Sequence, residues 1–453
     1  MKRLVVLSIA AVMLAAIPLT AQTSWMKTYG GEEADGGYCV QQTSDGGYII
    51  TGFTRSFGAE KNNLWLLKTD AEGDTLWTRI YGGEEPDVGR VVRQTADGGY
   101  MIIGLSGSFG AESYTPWVLK ADVNGDTLWT RTYGGSRLGN IWIEQTSEGD
   151  YIIAGRGLWL LKIDSLGEVL WERTYESEGC KWGSCVKQTS DGGYIITGAT
   201  SEADLFLLKT DASGNTLWRS TCGGEGADVG KYVEELDDGG YIIAGSTEIE
   251  PFHMCICLLR ANASGEILYT RHWEEMFPAE LKPLALTNDG GCVLAGETSG
   301  GVTLIKTDAD WNTSWTRTYE VGDEVWTKWV ECTSDGGYII TGDNCYSGTE
   351  NYDLWLIKTD SLGYVDAAIE EPVIETWGWK LVTSIGPEIT LRYTNHPQGF
   401  HASIFDASGR KVDEVHATES SGMITWGRCY GPGVYFIVPT DGEVKAQKVI
   451  LIK

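Results

Sequence analysis

Apolar residues along this chain fall in short unbroken runs instead of alternating with polar ones. YIITG (48–52), LWLLK (64–68) and YIIAG (151–155) are examples. A strand apolar at consecutive positions must be covered on both faces, so these segments predict sheets stacked against other sheets. The runs recur in register with a turn, DGGY and its variants, whose last residues are Tyr48, Tyr100, Tyr151, Tyr194, Tyr241, Cys292 and Tyr338. Six intervals between the first and last of these give a unit of about 48 residues, a period that belongs to the blades of a β-propeller.

The second unit parses into Arg90–Thr95, Tyr100–Gly104, Trp117–Asp122 and Thr127–Tyr133, four segments rich in β-branched and aromatic residues. Four strands per unit follow. DGG joins the first two strands, where a tight hairpin needs positive backbone angles. Asp70–Gly73, Asp122–Gly125, Asp164–Gly167, Asp211–Gly214, Asn262–Gly265 and Asp360–Gly363 join the third and fourth, while the sixth unit carries Trp311 in the glycine place. An acidic turn of this kind invites comparison with a calcium loop, but an EF-hand needs oxygen ligands at alternating positions over twelve residues, ending in a bidentate Glu. The turn reads instead as an Asx turn closed by a left-handed glycine.

The expected fold is therefore all-β, a seven-bladed propeller of four-stranded blades. Trp77, Trp129, Trp171, Trp218 and Trp315, with Tyr269 in the fifth unit, recur in the fourth strand and are expected to pack between blades. The last unit stops at LWLIKTDSLG (354–363) without a fourth strand, and SWMKTYGG (24–31) supplies one from the other end of the chain. Pairing these two segments closes the ring and leaves no open edge there.

The first residues, MKRLVVLSIAAVMLAAIPLTAQ, combine a basic Lys2–Arg3 head, an apolar run from Leu4 to Leu19 and a small-residue exit at Ala21. This predicts a cleaved signal peptide over 1–22, because the run falls short of the roughly 20 residues that span a bilayer. No transmembrane segment is expected in the mature chain. Loss of Lys2 and Arg3 takes the formal charge from -28 to about -30, which argues against nucleic acid or an anionic membrane as partner. Ten cysteines do not form the spacing of a small disulfide scaffold. Most are expected as buried free thiols, with Cys180 and Cys185 the most plausible local pair.

The four-strand unit with a terminal Trp resembles bacterial β-propeller repeats, and LLKTDAEGDTLW (66–77) resembles the repeat of quinoprotein dehydrogenases and related assembly-factor propellers. No two cysteines are adjacent, so the vicinal pair typical of quinone-dependent alcohol dehydrogenases is absent. The resemblance implies the fold, and no cofactor is expected. A propeller over 23–366 is followed by a linker over 367–379 and a small Ig-like β-sandwich over 380–453. In the latter, ASIFDASGRKV (402–412), ITWGR (424–428), GVYFIV (433–438) and KVILIK (448–453) are similar to the C-terminal sorting domain of the type IX secretion system, of the type A kind. The pattern also recurs in Ig-like modules of flagellar hook-cap proteins. The Asn-Pro pair often found near the start of such domains is split here, with His396 between Asn395 and Pro397. The resemblance implies the type IX machinery as a partner and a secreted or cell-surface location.

Loops from the fourth strand to the next first strand share one face with those joining strands two and three. That face carries Glu32, Glu33, Glu84, Glu85, Glu225, Glu274, Glu275 and Glu324, and within a recurrent YGGExxD-like pattern Asp35, Asp87 and Asp228. Such a rim either binds and steers cations or is solvated charge, the commoner role of charge runs. Trp142, Trp182, Trp326 and Trp329 interrupt the repeat near the same face; an exposed Trp beside carboxylates suits stacking on a sugar ring, and a buried one simply fills the channel wall. The propeller holds only His253 and His272, too few for a multi-histidine metal site, and a Ser/His/Asp triad would rest on one of these two. No metal and no catalytic residue is assigned. The expected function is a binding scaffold for a glycan or an extracellular protein; the alternative is a carbohydrate-active enzyme using carboxylates of the loop-bearing face.

Overall fold

The computed structural model describes residues 24–451, except 58–60, 111–113, 135–138, 176–178, 225, 251–252, 300, 323, 346–351, 366–377, 382–384, 387, 395–399, 419–421 and 440–445. The expected signal peptide and most of the expected linker lie outside the described residues.

Seven antiparallel sheets pack face to face around a central channel. Blade one consists of Asp35–Gln42, Tyr48–Thr54, Asn63–Thr69 and Thr75–Tyr81. Blade two is Asp87–Gln94, Tyr100–Ser106, Thr115–Ala121 and Thr127–Thr132, within three residues of the expected limits. Second and third strands are almost wholly buried, whereas the outermost strands are largely exposed. This distribution explains why apolar runs replace alternation in the middle of each unit.

Trp25–Tyr29 pairs with the third strand of blade seven, Trp25 opposite Lys358 and Tyr29 opposite Leu354. The closing strand also binds the neighbouring blade, since Trp25 Nε1 donates to Ala71 O (3.0 Å) and Tyr29 Oη to Gly73 O (2.6 Å). The same tyrosine bond recurs at Tyr133–Gly167, Tyr175–Gly214 and Tyr319–Gly363. The fourth-strand tryptophans pack between blades as expected: Trp25, Trp77, Trp171, Trp218 and Trp315 each meet edge-on the DGGY tyrosine of the following blade, at centroid distances of 5.7–5.9 Å.

The two glycines of DGG serve different ends. Gly46 takes a φ of +84°, and a Cβ on Gly47 would lie 2.1 Å from Thr69 O. The Asp of the turn is clamped by a nearly buried lysine of the third strand, as in Lys68–Asp45 (2.9 Å), Lys120–Asp97 (2.8 Å) and Lys306–Asp289 (2.8 Å).

Blade six departs from the pattern. Its inner strand is broken into Phe277–Pro278 and Leu284–Leu286, both paired with Cys292–Thr298. Here Cys292 replaces the DGGY tyrosine, and the aromatic partner of Tyr269 is Trp311, at 5.9 Å, which sits at a φ of +62° in the glycine place.

Among the described residues no two cysteines are joined by a disulfide. The expected Cys180–Cys185 pair is excluded by geometry, because both lie on one extended strand, Cys180 opposite Thr200 and Cys185 opposite Thr197. Five residues along a strand span far more than the Cα separation a disulfide tolerates.

The chain continues into a sandwich of a three-stranded and a five-stranded sheet. Ile389, Leu391, Phe400, Ile404, Ile437 and Val449 form its own core.

Candidate functional site at the channel mouth

The inner strands of five blades carry a β-bulge after a small residue: between Gly37 and Cys39, Gly89 and Val91, Gly183 and Cys185, Gly230 and Tyr232, and Thr327 and Trp329. A bulge re-aims one side chain out of the pleat. The glycine before it is required by the next sheet: a Cβ on Gly230 would lie 1.9 Å from Thr197 Oγ1, and one on Gly37 2.6 Å from Thr341 Oγ1. The bulged residues include Tyr38, Arg90, Lys231 and Lys328, and they converge at one end of the channel. Arg90 lies over the Tyr38 ring at 4.2 Å and Lys328 at 5.3 Å.

Glu280, delivered by the break in blade six, ties this group together. It pairs with Lys328 at 2.6 Å and Arg90 at 3.2 Å, and its carbonyl accepts a hydrogen bond from Lys231 Nζ at 3.2 Å. Burial opposes ionisation of Glu280, but Lys328 and Arg90 outweigh it and hold the carboxyl down at about 2. Glu297, on the same blade, has the opposite fate. Burial pushes it up to about 7, although its carboxylate accepts the Thr327 amide. Asp343, 3.6 Å from Lys328, is likewise raised by burial, to about 6. Of these groups Lys231, Glu280, Glu297 and Lys328 line a pocket of about 340 Å³, with Met254, Phe277 and Trp326 among its other walls. A hollow of about 750 Å³ between blade six and the closing strand shares Glu297 with it.

Below the mouth the channel is filled. Trp142 and Trp329 are fully buried and stack at 5.1 Å with an interplanar angle of 15°, and Tyr232 lies 5.6 Å from Trp142. Beneath them Arg93, Glu144, Lys187, Glu234, Lys282 and Glu331 alternate in sign in chain order around the ring. Pairs at 2.8 Å (Glu144–Lys187), 3.2 Å (Lys282–Glu331) and 4.0 Å (Arg93–Glu331) link them. Cation–π contacts join the layers, with Arg93 at 4.9 Å and Lys282 at 5.2 Å from Trp329. The pocket at the mouth is therefore blind.

The residues expected from sequence are distributed unevenly over this site. Trp326 lines the pocket. Trp142 and Trp329 come together as the plug and are closed to ligand. Trp182 is half-buried in blade four under Lys181, 4.4 Å away, and is not among the pocket's lining residues. Asp35, Asp87 and Asp228 are not rim residues, since all three are buried. Asp87 accepts hydrogen bonds from Gly83 N (2.9 Å), Ser108 Oγ (2.6 Å) and Ser106 Oγ; Asp35 is held alike by Gly31, Ser56 and Thr54, and Asp228 by Gly224 N (2.9 Å). Their spacing fits a loop staple: the Asp ties its own loop, and in blades one and two also the loop joining strands two and three. Glu32, Glu33, Glu84 and Glu85 do face solvent.

Sequence reading missed Glu280, Glu297, Asp343, Lys231, Lys328 and Arg90. Two signals were available: polar or charged residues just after the glycine of buried inner strands, and the collapse of the repeat at Pro278–Pro283.

No protein-family model matches the chain, and no curated protein is similar enough in sequence to match it. Among solved structures, the crystal structure of BamB from Moraxella catarrhalis is similar at 10% identity and a TM-score of 0.38, over 89% of this chain and 96% of that one.

Proposed function

We propose that this protein is an exported β-propeller that acts as a binding scaffold, taking its ligand at the blind mouth of the channel. The observation that carries the reading is the plug. Stacked Trp142 and Trp329 deny passage through the ring, so the bulged side chains can serve only a ligand approaching from the loop-bearing face. A concave, largely apolar pocket with a few convergent polar groups is the ordinary form of a small-ligand site. The leader-like start, the linker over 367–379 and the type IX-like domain over 380–453 support delivery to the cell surface or medium through that machinery, with a glycan or an extracellular protein as ligand.

One observation favours a second reading, a carbohydrate-active enzyme. Glu280 and Glu297 line the same pocket with acidities pushed in opposite directions, to about 2 and about 7. This is the pattern of a base and a proton donor, and Glu280 stands where the repeat is broken.

A glycan array probed with the full chain, run beside a hydrolysis screen on the glycans it retains, separates the readings. Retention without release of reducing ends supports the scaffold. Release that is lost in Glu297→Gln while retention persists makes the protein an enzyme. Absence of retention on any glycan or extracellular protein array removes the mouth pocket as a binding site.

A further inference from the structure

Lys231 differs from the other cations of the channel. Lys328 and Arg90 share Glu280, and Lys187, Lys282 and Arg93 share the ring carboxylates. The hydrogen bond of the Lys231 ammonium goes to the Glu280 carbonyl at 3.2 Å, and among the described residues it joins no ion pair. It stands in the pocket beside Met254, Phe277, Pro278 and Trp326, and burial lowers its affinity for its proton. A partly desolvated ammonium with unused donors gains more from an anionic partner than a solvated one. Two further buried atoms of the mouth, Arg90 Nε and Asp343 Oδ1, have no hydrogen-bond partner.

In the acidic range the charge of the mouth reverses the sign of the whole chain. Arg90, Lys231 and Lys328 face Glu280, Glu297 and Asp343, and the last two hold their protons up to about 7 and about 6. Below about pH 6 three cations therefore oppose one ionised carboxylate; above about pH 7 they oppose three. An anion is admitted best in the acidic range, while the exposed glutamates of the outer rim disfavour a long polyanion.

We infer that the mouth pocket takes a short acidic saccharide, its uronate carboxylate seated on Lys231 and its ring against Trp326. The inference rests on the mouth being the binding site. A sugar suits the walls better than an acidic peptide. The half-buried Trp326, with Phe277 and Pro278, offers flat apolar surface to the C–H face of a pyranose, and about 340 Å³ holds one or two sugar residues.

The test is calorimetric titration of the full chain at pH 5.5 and pH 8 with disaccharides of galacturonate, glucuronate and mannuronate. Their methyl esters and a capped Gly-Glu-Gly peptide serve as comparisons. At least one uronate should bind about tenfold or more tightly than its uncharged ester at pH 5.5, and more weakly at pH 8. Lys231→Met should erase the preference for acid over ester, Lys231→Arg should restore most of it, and Glu297→Gln should flatten the pH dependence. Thermal melting of each variant guards against misfolding, and the Arg variant keeps the test decisive if the Met variant unfolds. Equal binding of acid and ester, or binding of the peptide in preference, overturns the uronate assignment and leaves the mouth as a binding site. Failure of every saccharide here, with retention of other ligands on the arrays, overturns the assignment alone; failure on both overturns the binding reading too.

Discussion

Trp142 and Trp329, from blades three and seven, lie nearly parallel across the channel with centroids 5.1 Å apart, so the propeller's axis is a packed core and not a conduit. Their surroundings differ in one respect. Trp329 Nε1 donates to Glu331 at 3.1 Å, whereas Trp142 Nε1 has no partner.

Replacing either indole by alanine should cost about 3–5 kcal/mol, the usual range for a buried aromatic. The double variant should cost less than the sum, because each loses the same stacking partner. Phenylalanine should be tolerated better at 142 than at 329, since only the latter change removes a hydrogen bond from a partly buried carboxylate. Urea unfolding of the five variants checks both the ranking and the non-additivity.

Deleting residues 24–31 should open the ring. The outer edge of blade seven would lose its ladder from Lys358 to Leu354, and blade one would lose the Trp25 and Tyr29 bonds to its turn. A fall in melting temperature well beyond that of a surface truncation is expected. A melting point within a degree or two of the parent would show that the closing strand contributes little.

Asp87→Asn should destabilise by about 1–3 kcal/mol, because an amide cannot accept all the donors now aimed at the carboxylate, among them Gly83 N, Ser106 Oγ and Ser108 Oγ. Calcium should leave the melting temperature of parent and variant alike, as those oxygens are already engaged. Scanning calorimetry with and without millimolar calcium tests the pair of expectations.

Asp353 and Asp35 crowd Gly30 at the seam between blades seven and one. Burial, and then the neighbouring Asp35, push Asp353 up to about 6. An acid with a raised folded-state pKa holds its proton more tightly in the folded chain, so between about 3.9, its unfolded value, and about 6 the folded state binds more protons. Stability from this residue is therefore lost as pH rises through that window. Asp353→Asn should match the parent near pH 4 and exceed it in melting temperature by a few degrees above pH 7. Blade one already carries Asn63 next to Asp87 in the equivalent place. A pH series of melts, parent against variant, reads the effect.

The fold was legible because it is written seven times: the DGG turns, the apolar runs and the fourth-strand tryptophans each repeat the same local demand. Even the missing strand could be read, since SWMKTY carries the pattern of TLWTRIY. The site was not, for two reasons. Spacing gave Asp35, Asp87 and Asp228 as a rim, but it does not say whether a carboxylate faces water or its own loop, and the Ser and Thr donors that draw them inward sit about twenty residues away. Glu280 belongs to the one blade whose inner strand breaks, so no alignment of units could place it opposite Lys231 and Lys328. Trp142 and Trp329 share a slot with Cys39, yet only the ring brings blades three and seven close enough for the two indoles to touch.

Because the last blade is made from both ends of the propeller, the order in which the chain emerges matters. Trp25–Tyr29 leaves first and its partner, Leu354–Lys358, nearly last. Until then a five-residue edge stands unpaired, and the earlier blades can stack only as an open arc. The circle becomes cooperative at one late moment, so the propeller cannot finish folding from its leading end until the strand Leu354–Lys358 has been made.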